Sequence, residues 1–382
     1  MCMSEQKTPH NNSCKERCWT DLTFSKEDTK AVKGAAILLM LYHHLFAYPE
    51  RIAEEISYIA CFSIDGNTSA YWVGLFGKLC VALFFFLGGY GTFSSANRSE
   101  DLTKTIWNKI KHLYTAYWKV FLIFIPISVL CNVHTVEKNL ASLIRNFTGL
   151  NITYNYEWWF FTPYLLITVS YPAIHRMLKQ KSSVFTDLLA VLLWSVLIIN
   201  VVPRIYSYTW ASSLKESFFW SIFSAMLPNS PVFLMGCIFA KHNLLDKIKQ
   251  QFSGQLSSFL AGSIILLLIF YMRKQSPPTY DLVFAPLFTA ALITILSLRP
   301  CKVIYSILNK VGQESTTIWL VHSFYCYHLC QRFIFMPRYT PLIFALLLIV
   351  TYVTAIALRK FYKLLFIVYR LLFKEKMSAR IS

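Results

Sequence analysis

Charge is the first thing this chain is short of. Only 15% of its 382 residues are charged, and acids are the scarcer sign, 19 Asp and Glu against 37 Lys and Arg. No internal repeat, glycine-serine linker or low-complexity segment interrupts it, so a single domain is the economical organisation. Its ten cysteines are scattered through tail, apolar runs and loops rather than gathered in one exported region, which argues against a disulfide scaffold. Cys326, His328 and Cys330 have loose metal-ligand spacing, but cysteine is ordinarily a small buried apolar residue, and no metal is expected. The first 24 residues are polar and separate the start from the first apolar run by too much for a cleaved signal.

What the chain has instead is apolar surface: 55% hydrophobic residues, 16% aromatic, and a mean hydropathy of +0.46. That is too apolar for a soluble two-domain protein. Ten runs of membrane-spanning length stand out, at about 31–49, 70–94, 113–131, 157–175, 184–203, 217–240, 256–272, 280–298, 313–335 and 341–358. They leave no room for a soluble catalytic domain, so any chemistry must occur inside the bundle. The expected fold is all-α, a polytopic bundle of about ten transmembrane helices over 25–358, between a polar tail (1–24) and a basic tail (359–382). Ser25 followed by Asp28 has the capping-box pattern, with Phe24 in the staple position, so the first helix should begin near Lys26.

The basic excess follows topology. With the N-terminus inside, the tails and alternate loops hold twenty-six of the 37 basic residues and the opposite loops nine. Both termini are then cytoplasmic, and nucleic acid is not an expected partner. The basic tail, with Phe361, Leu364, Phe366 and Leu371, reads as an amphipathic element on anionic membrane lipid. The outer segments 50–69 and 132–156 are polar enough to form structured loops, and the second carries formal sequons at Asn146 and Asn151, chance matches in a bacterial source.

Chemistry concentrates in five segments. KGAAILLMLYHH, Lys33 to His44, puts ionisable groups in a membrane span, where they are costly enough to imply function. At about 100° per residue, eleven steps bring His44 to within about 20° of Lys33 with a rise of about 16 Å. Lys33 and His44 share a face and His43 does not. A phosphate-bearing donor such as acyl-coenzyme A would need such a cation below a titratable nitrogen; a snorkelling lysine and a histidine bonded to a neighbouring helix would use the same residues. GKLCVALFFFLGGYGTF, residues 77–93, clusters Gly88, Gly89 and Gly91 where backbones pack or phosphates approach, and carries Lys78, either snorkelling or ion-paired. WNKIKHLYTAYWKVF, residues 107–121, brings Lys109, Lys111 and His112 to the inner surface, toward a polyanionic donor or lipid headgroups. NYEWWFFTPY, residues 155–164, sets Glu157 beside Trp158 and Trp159, an aromatic belt or a seat for a sugar ring. KVGQESTTIWLVHSFYC, residues 310–326, raises His322 about 15 Å above Gly312, a depth at which it can meet His44.

In this order the five segments, together with PVFLMGCIFAK (231–241), resemble the acyltransferase 3 family, integral-membrane enzymes that O-acylate cell-surface polysaccharides and other exported molecules. The resemblance implies a helical bundle in the cell membrane, expected to be a bacterial inner membrane, with cytoplasmic acyl-CoA, usually acetyl-CoA, as co-substrate and no permanently bound cofactor. It implies a hydroxyl of a glycan or lipid-linked sugar as acceptor. Lys33 stands at the family's Arg or Lys, His44 at its catalytic histidine, Gly89 at the glycine of its Ser-Gly pair and His322 at its late histidine. Gly88 replaces the serine, and Lys109 and His112 stand at an arginine pair, without arginine's bidentate fork. The expected mechanism has donor phosphates near Lys33, Lys109 and Lys111, His44 as general base or acyl carrier, and His322 binding the acceptor or polarising the thioester. Glu157 and Trp158 hold the sugar. A transporter or flippase is the competing class, although inverted halves are not visible and the only strong break is around Pro228 and Pro231. An inactive sensor or scaffold relative also stays open.

Overall fold

The structure, a computed structural model, describes residues 23–208, 213, 217–275 and 278–378. Most of the polar N-terminal tail, with Cys14 and Cys18, and also Lys215 and Arg380 lie outside the described residues.

Helix α1 (Lys26–Phe46) starts where the sequence predicts. Ser25 Oγ accepts from the Asp28 amide at 3.1 Å while Asp28 Oδ2 accepts from the Ser25 amide at 2.8 Å, a reciprocal cap. Asp28 also receives Lys249 Nζ at 2.7 Å and the Tyr305 hydroxyl at 3.1 Å. Phe24 meets Tyr90 edge-on at 5.0 Å and so ties the helix start to a neighbouring element.

The next span is α2 (Ser69–Gly77) and α3 (Leu79–Asn97), joined through the single residue Lys78. Just before it a short hairpin, β1 (Ser63–Ile64) with β2 (Asn67–Thr68), pairs Ser63 opposite Thr68. There follow α4 (Leu102–Leu130), the loop helix α5 (Leu140–Phe147), α6 (Phe161–Leu178), α7 (Val184–Ser207), α8 (Phe218–Met226) and α9 (Ser230–Lys241). The chain continues through α10 (Leu244–Phe252), α11 (Leu256–Gln275), α12 (Asp281–Leu296), α13 (Lys302–Gln313), α14 (Ser315–Ser323), α15 (Gln331–Phe335) and α16 (Thr340–Ser378).

Each of the ten apolar runs carries helix, but among the described residues six helices are long and apolar enough to cross a membrane, or seven if α12 and α13, bent by 102°, count as one span. Helix α1 falls short because Lys30, Lys33, His43 and His44 lower its hydropathy. The run at 313–335 falls short because it is in pieces: α14, a π turn over Phe324–His328, and α15. A 3-10 turn, Leu227–Asn229, does divide α8 from α9, but the break near Pro228 and Pro231 is therefore not unique. Helix α16 runs without interruption through the composition boundary at 358–359. Asn146 of the first sequon is fully buried, donating to Ser142 O at 2.9 Å and accepting from the Tyr154 amide at 3.0 Å.

Two close crossings fix the frame. A methyl group at Gly89 would collide with the Phe233 carbonyl, and one at Gly236 with the Phe86 carbonyl, so α3 and α9 touch backbone to backbone. In the same way Gly34 and Gly312 let α1 and α13 cross with the Leu308 and Lys30 carbonyls in contact. Most of the bundle shares one apolar core; Tyr117, Phe121, Phe124, Trp158, Phe161 and Phe324 form a second. Overpacking a tight contact costs about 1–3 kcal/mol. Gly89→Ala is therefore expected to lower the unfolding temperature of the detergent-purified protein, whereas Gly91→Ala, with nothing within 4 Å, should not.

Candidate active site

A cavity of about 880 Å³ runs inside the bundle. It extends from Lys33, near the start of α1, to His43 and His44 near its end, which is about 16 Å along the axis. At the Lys33 end its walls carry Ser95, Thr105, Lys109 and His112; at the histidine end they carry Tyr48, Arg51, Lys78, Glu157 and Trp159. Gly88 and the Tyr164 ring line it between. Among the described lining residues Glu157 is the sole carboxylate.

The histidine end is built by the turn before α6. Asn155 Nδ2 donates to Ser323 Oγ at 2.7 Å, Trp158 Nε1 to Leu320 O at 2.9 Å, and Trp319 Nε1 to Glu157 O at 3.1 Å. These three bonds dock the turn on α14 and aim the Glu157 carboxylate into the cavity. One of its oxygens accepts from Arg51 Nη1 at 2.7 Å and the other lies 3.3 Å from His44 Nδ1. Arg51 is also held over the Tyr48 ring, 4.4 Å from its centroid.

Hydrogen-bond logic assigns the tautomers. Tyr327 donates its hydroxyl to the His44 carbonyl at 2.5 Å, so toward His44 Nδ1, 3.3 Å away, the phenol oxygen can only accept. A carboxylate can also only accept, so Nδ1 carries a proton, which in the neutral ring leaves the lone pair on Nε2. His322 lies alongside, ring centroids 4.6 Å apart, and donates Nδ1–H to Trp319 O at 2.6 Å. Its Nε2 is buried without a partner. In their neutral forms both imidazoles carry the basic nitrogen at Nε2, and a carboxylate stands behind that of His44.

The structure gathers Lys33, Lys109, His112, His44, Glu157 and Trp159 around one cavity with His322 beside it. Three of the expected site residues go elsewhere. Gly89 is spent on the α3–α9 crossing, and it is Gly88 that faces the cavity. Trp158 is fully buried and turned into the second core. Lys111 is exposed, its ammonium 5.6 Å over the Trp107 ring. Both His43 and His44 line this end of the cavity, but His43 Nδ1 donates to Gly74 O at 2.8 Å whereas His44 Nδ1 faces Glu157. Arg51 and Tyr327 were not anticipated. Arg51 did leave a signal, a basic residue on the side that has few. Among the described residues no three His, Cys, Asp or Glu side chains gather to hold a metal, and Cys326 is simply buried.

The bundle, with its helices of membrane-spanning length, encloses a cavity lined by ionisable groups. The chain belongs to the acyltransferase domain family, acyltransferase 3, whose family model matches residues 29–360. It is thus a membrane acyltransferase, which favours acyl transfer over transport. No curated protein and no solved structure matches the chain.

The adjacent tryptophans give a clean test of the site's construction. Trp158→Ala removes a buried indole and its bond to the Leu320 carbonyl, a loss of about 3–5 kcal/mol, and should unfold the detergent-solubilised protein at markedly lower temperature. Trp159→Ala should leave that temperature within a degree or two of wild type, a shift of well under about 1 kcal/mol.

Proposed function

We propose that this protein transfers an acyl group, most simply acetyl, from cytoplasmic acyl-CoA to a hydroxyl of a cell-surface polysaccharide or lipid-linked sugar. The observation that carries the proposal is a single cavity joining an ammonium pair, Lys33 and Lys109, to the imidazole of His44, against which His322 packs. In this proposal the bundle has ten spans with both termini in the cytoplasm of a bacterial cell, supported by the asymmetry of basic residues. The Lys33 end then opens inward. Donor phosphates are held by Lys33 and Lys109, with His112 beside them. The pantetheine arm passes the Tyr164 ring, which packs flush on Gly88 where a side chain would collide with it, and brings the thioester to the histidines.

At that end the acceptor hydroxyl gives its proton to His44 Nε2 while its oxygen attacks the thioester carbonyl. The tetrahedral intermediate collapses with cleavage of the C–S bond. The proton on His44 goes to the departing thiolate, releasing CoA as its thiol, and the acyl group remains on the sugar oxygen. Glu157 keeps Nδ1 protonated and stabilises the transient imidazolium. While neutral, His322 has no Nε2 proton with which to polarise the thioester, and it stands behind the cavity wall, so its role here is to pack against the His44 ring and hold its orientation.

His44→Ala should lower acetyl-CoA-dependent thiol release by about 10²–10⁴-fold; undiminished turnover in purified protein would remove it from the base role. Glu157→Gln should lower kcat while leaving the KM for acetyl-CoA close to wild type. Lys33→Ala should do the opposite, raising that KM about tenfold, the equivalent of about 1.4 kcal/mol, with a smaller effect on kcat. Equal responses from the two variants would contradict the division of the cavity into a donor end and a reaction end.

A further inference from the structure

We infer that the acceptor is itself anionic, bearing a carboxylate or phosphate that Lys78 engages at the reaction end of the cavity. The inference deepens the acyl-transfer proposal and rests on it. Lys78 is the one-residue joint that ends α2 and begins α3. Its neighbour Gly77 packs on α1 so closely that an added methyl would lie 3.0 Å from His43 Cβ, which fixes the joint level with the histidines. The side chain is exposed and lines the cavity, so it neither snorkels to lipid nor hides in a buried pair. Among the described residues it makes no ion pair. The carboxylates nearby are taken: Glu157 by Arg51 at 2.7 Å, and Asp281 by Arg273 at 2.6 Å. With Arg51 and Glu157 cancelling, the reaction end keeps one uncompensated positive charge.

That charge has no work to do for the donor, whose phosphates are held about 16 Å away along α1. Nor does it suit the oxyanion of the acyl-transfer intermediate, which is best served by dry, pre-oriented donors. A hydrated ammonium on a flexible stem is a point charge suited to an incoming solvated anion. Tyr156 and Trp159, 60% and 39% exposed, line the same end and offer flat faces to a sugar ring. A uronic acid and a sugar phosphate both fit this chemistry.

Binding measured on the purified protein by microscale thermophoresis tests this without requiring turnover, with methyl glucuronide, glucose 1-phosphate and methyl glucoside as probes. Wild type is expected to bind one anionic probe at least about tenfold more tightly than methyl glucoside, equivalent to about 1.4 kcal/mol, and whichever probe wins identifies the charged group. Lys78→Gln should abolish the preference and Lys78→Arg should retain it, with acetyl-CoA affinity in both within about twofold of wild type, or roughly 0.4 kcal/mol. The inference is overturned if wild type shows no preference, if the preference survives Lys78→Gln, or if that variant weakens acetyl-CoA as much as the sugar. It is also overturned if Lys78→Gln slows acyl transfer equally to anionic and neutral sugars with binding unchanged, the mark of an oxyanion role. Absence of thiol release from acetyl-CoA by wild type would instead defeat the acyl-transfer proposal and leave the binding preference standing.

Discussion

The docking of the Asn155–Trp158 turn on α14 is the constraint from which the reaction end follows. A carboxylate whose partner Arg51 is 43% exposed would, left to itself, drift toward water. Burial of the Trp158 indole, worth a few kcal/mol at about 25 cal/mol per Å², anchors the turn instead. The three hydrogen bonds then set its register on the helix that carries His322. Once Glu157 is placed, the proton on His44 Nδ1 is placed too, and with it the lone pair on Nε2. Arg51 prevents the carboxylate from being an uncompensated charge. A polar cluster of this kind inside a membrane bundle is tolerable only when its members satisfy one another.

The two ends of the cavity are made differently. At the Lys33 end the groups stand on α1, α3 and α4, of which α1 and α3 are locked by backbone contacts at Gly34 and Gly312 and at Gly89 and Gly236. At the opposite end Arg51, Tyr156, Glu157 and Trp159 come from segments between helices. Such segments tolerate sequence change better than packed helices do. In the proposed reaction, a donor held by helices and an acceptor met by connecting turns would be a division of labour that lets the acceptor end change while the donor end is kept.

Much of this was legible in the residues. The apolar runs announced the helices, the Ser25–Asp28 pair marked the first helix start, and the eleven-residue spacing placed Lys33 and His44 in a common cavity. What could not be read has a common physical source: the geometry changes where regular helix stops. Trp158 and Trp159 lie in and just after a 3-10 turn, where a helical wheel does not say which faces the core. Tyr327 lies in the π turn, whose altered rise per turn rotates it toward His44 out of the register that 100° steps predict. Gly88 and Gly89 are indistinguishable in sequence, and only the position of α9 decides which one is buried in a crossing. Lys78 sits at a joint that a continuous apolar run conceals.

The Tyr327 hydroxyl carries a further implication. It donates to the backbone carbonyl of His44, one of the carbonyls in the last turn of α1 that lack a helical partner, while its oxygen faces the ring of the same residue. One phenol thus caps the helix and orients the imidazole. A ligand that tilts the His44 ring must disturb that cap, and the chain leaves α1 only a few residues before Arg51. The fraying of a helix end and the aim of an imidazole are mechanically one event in this protein, so in the proposed reaction the rim that meets the sugar and the nitrogen that takes its proton move together.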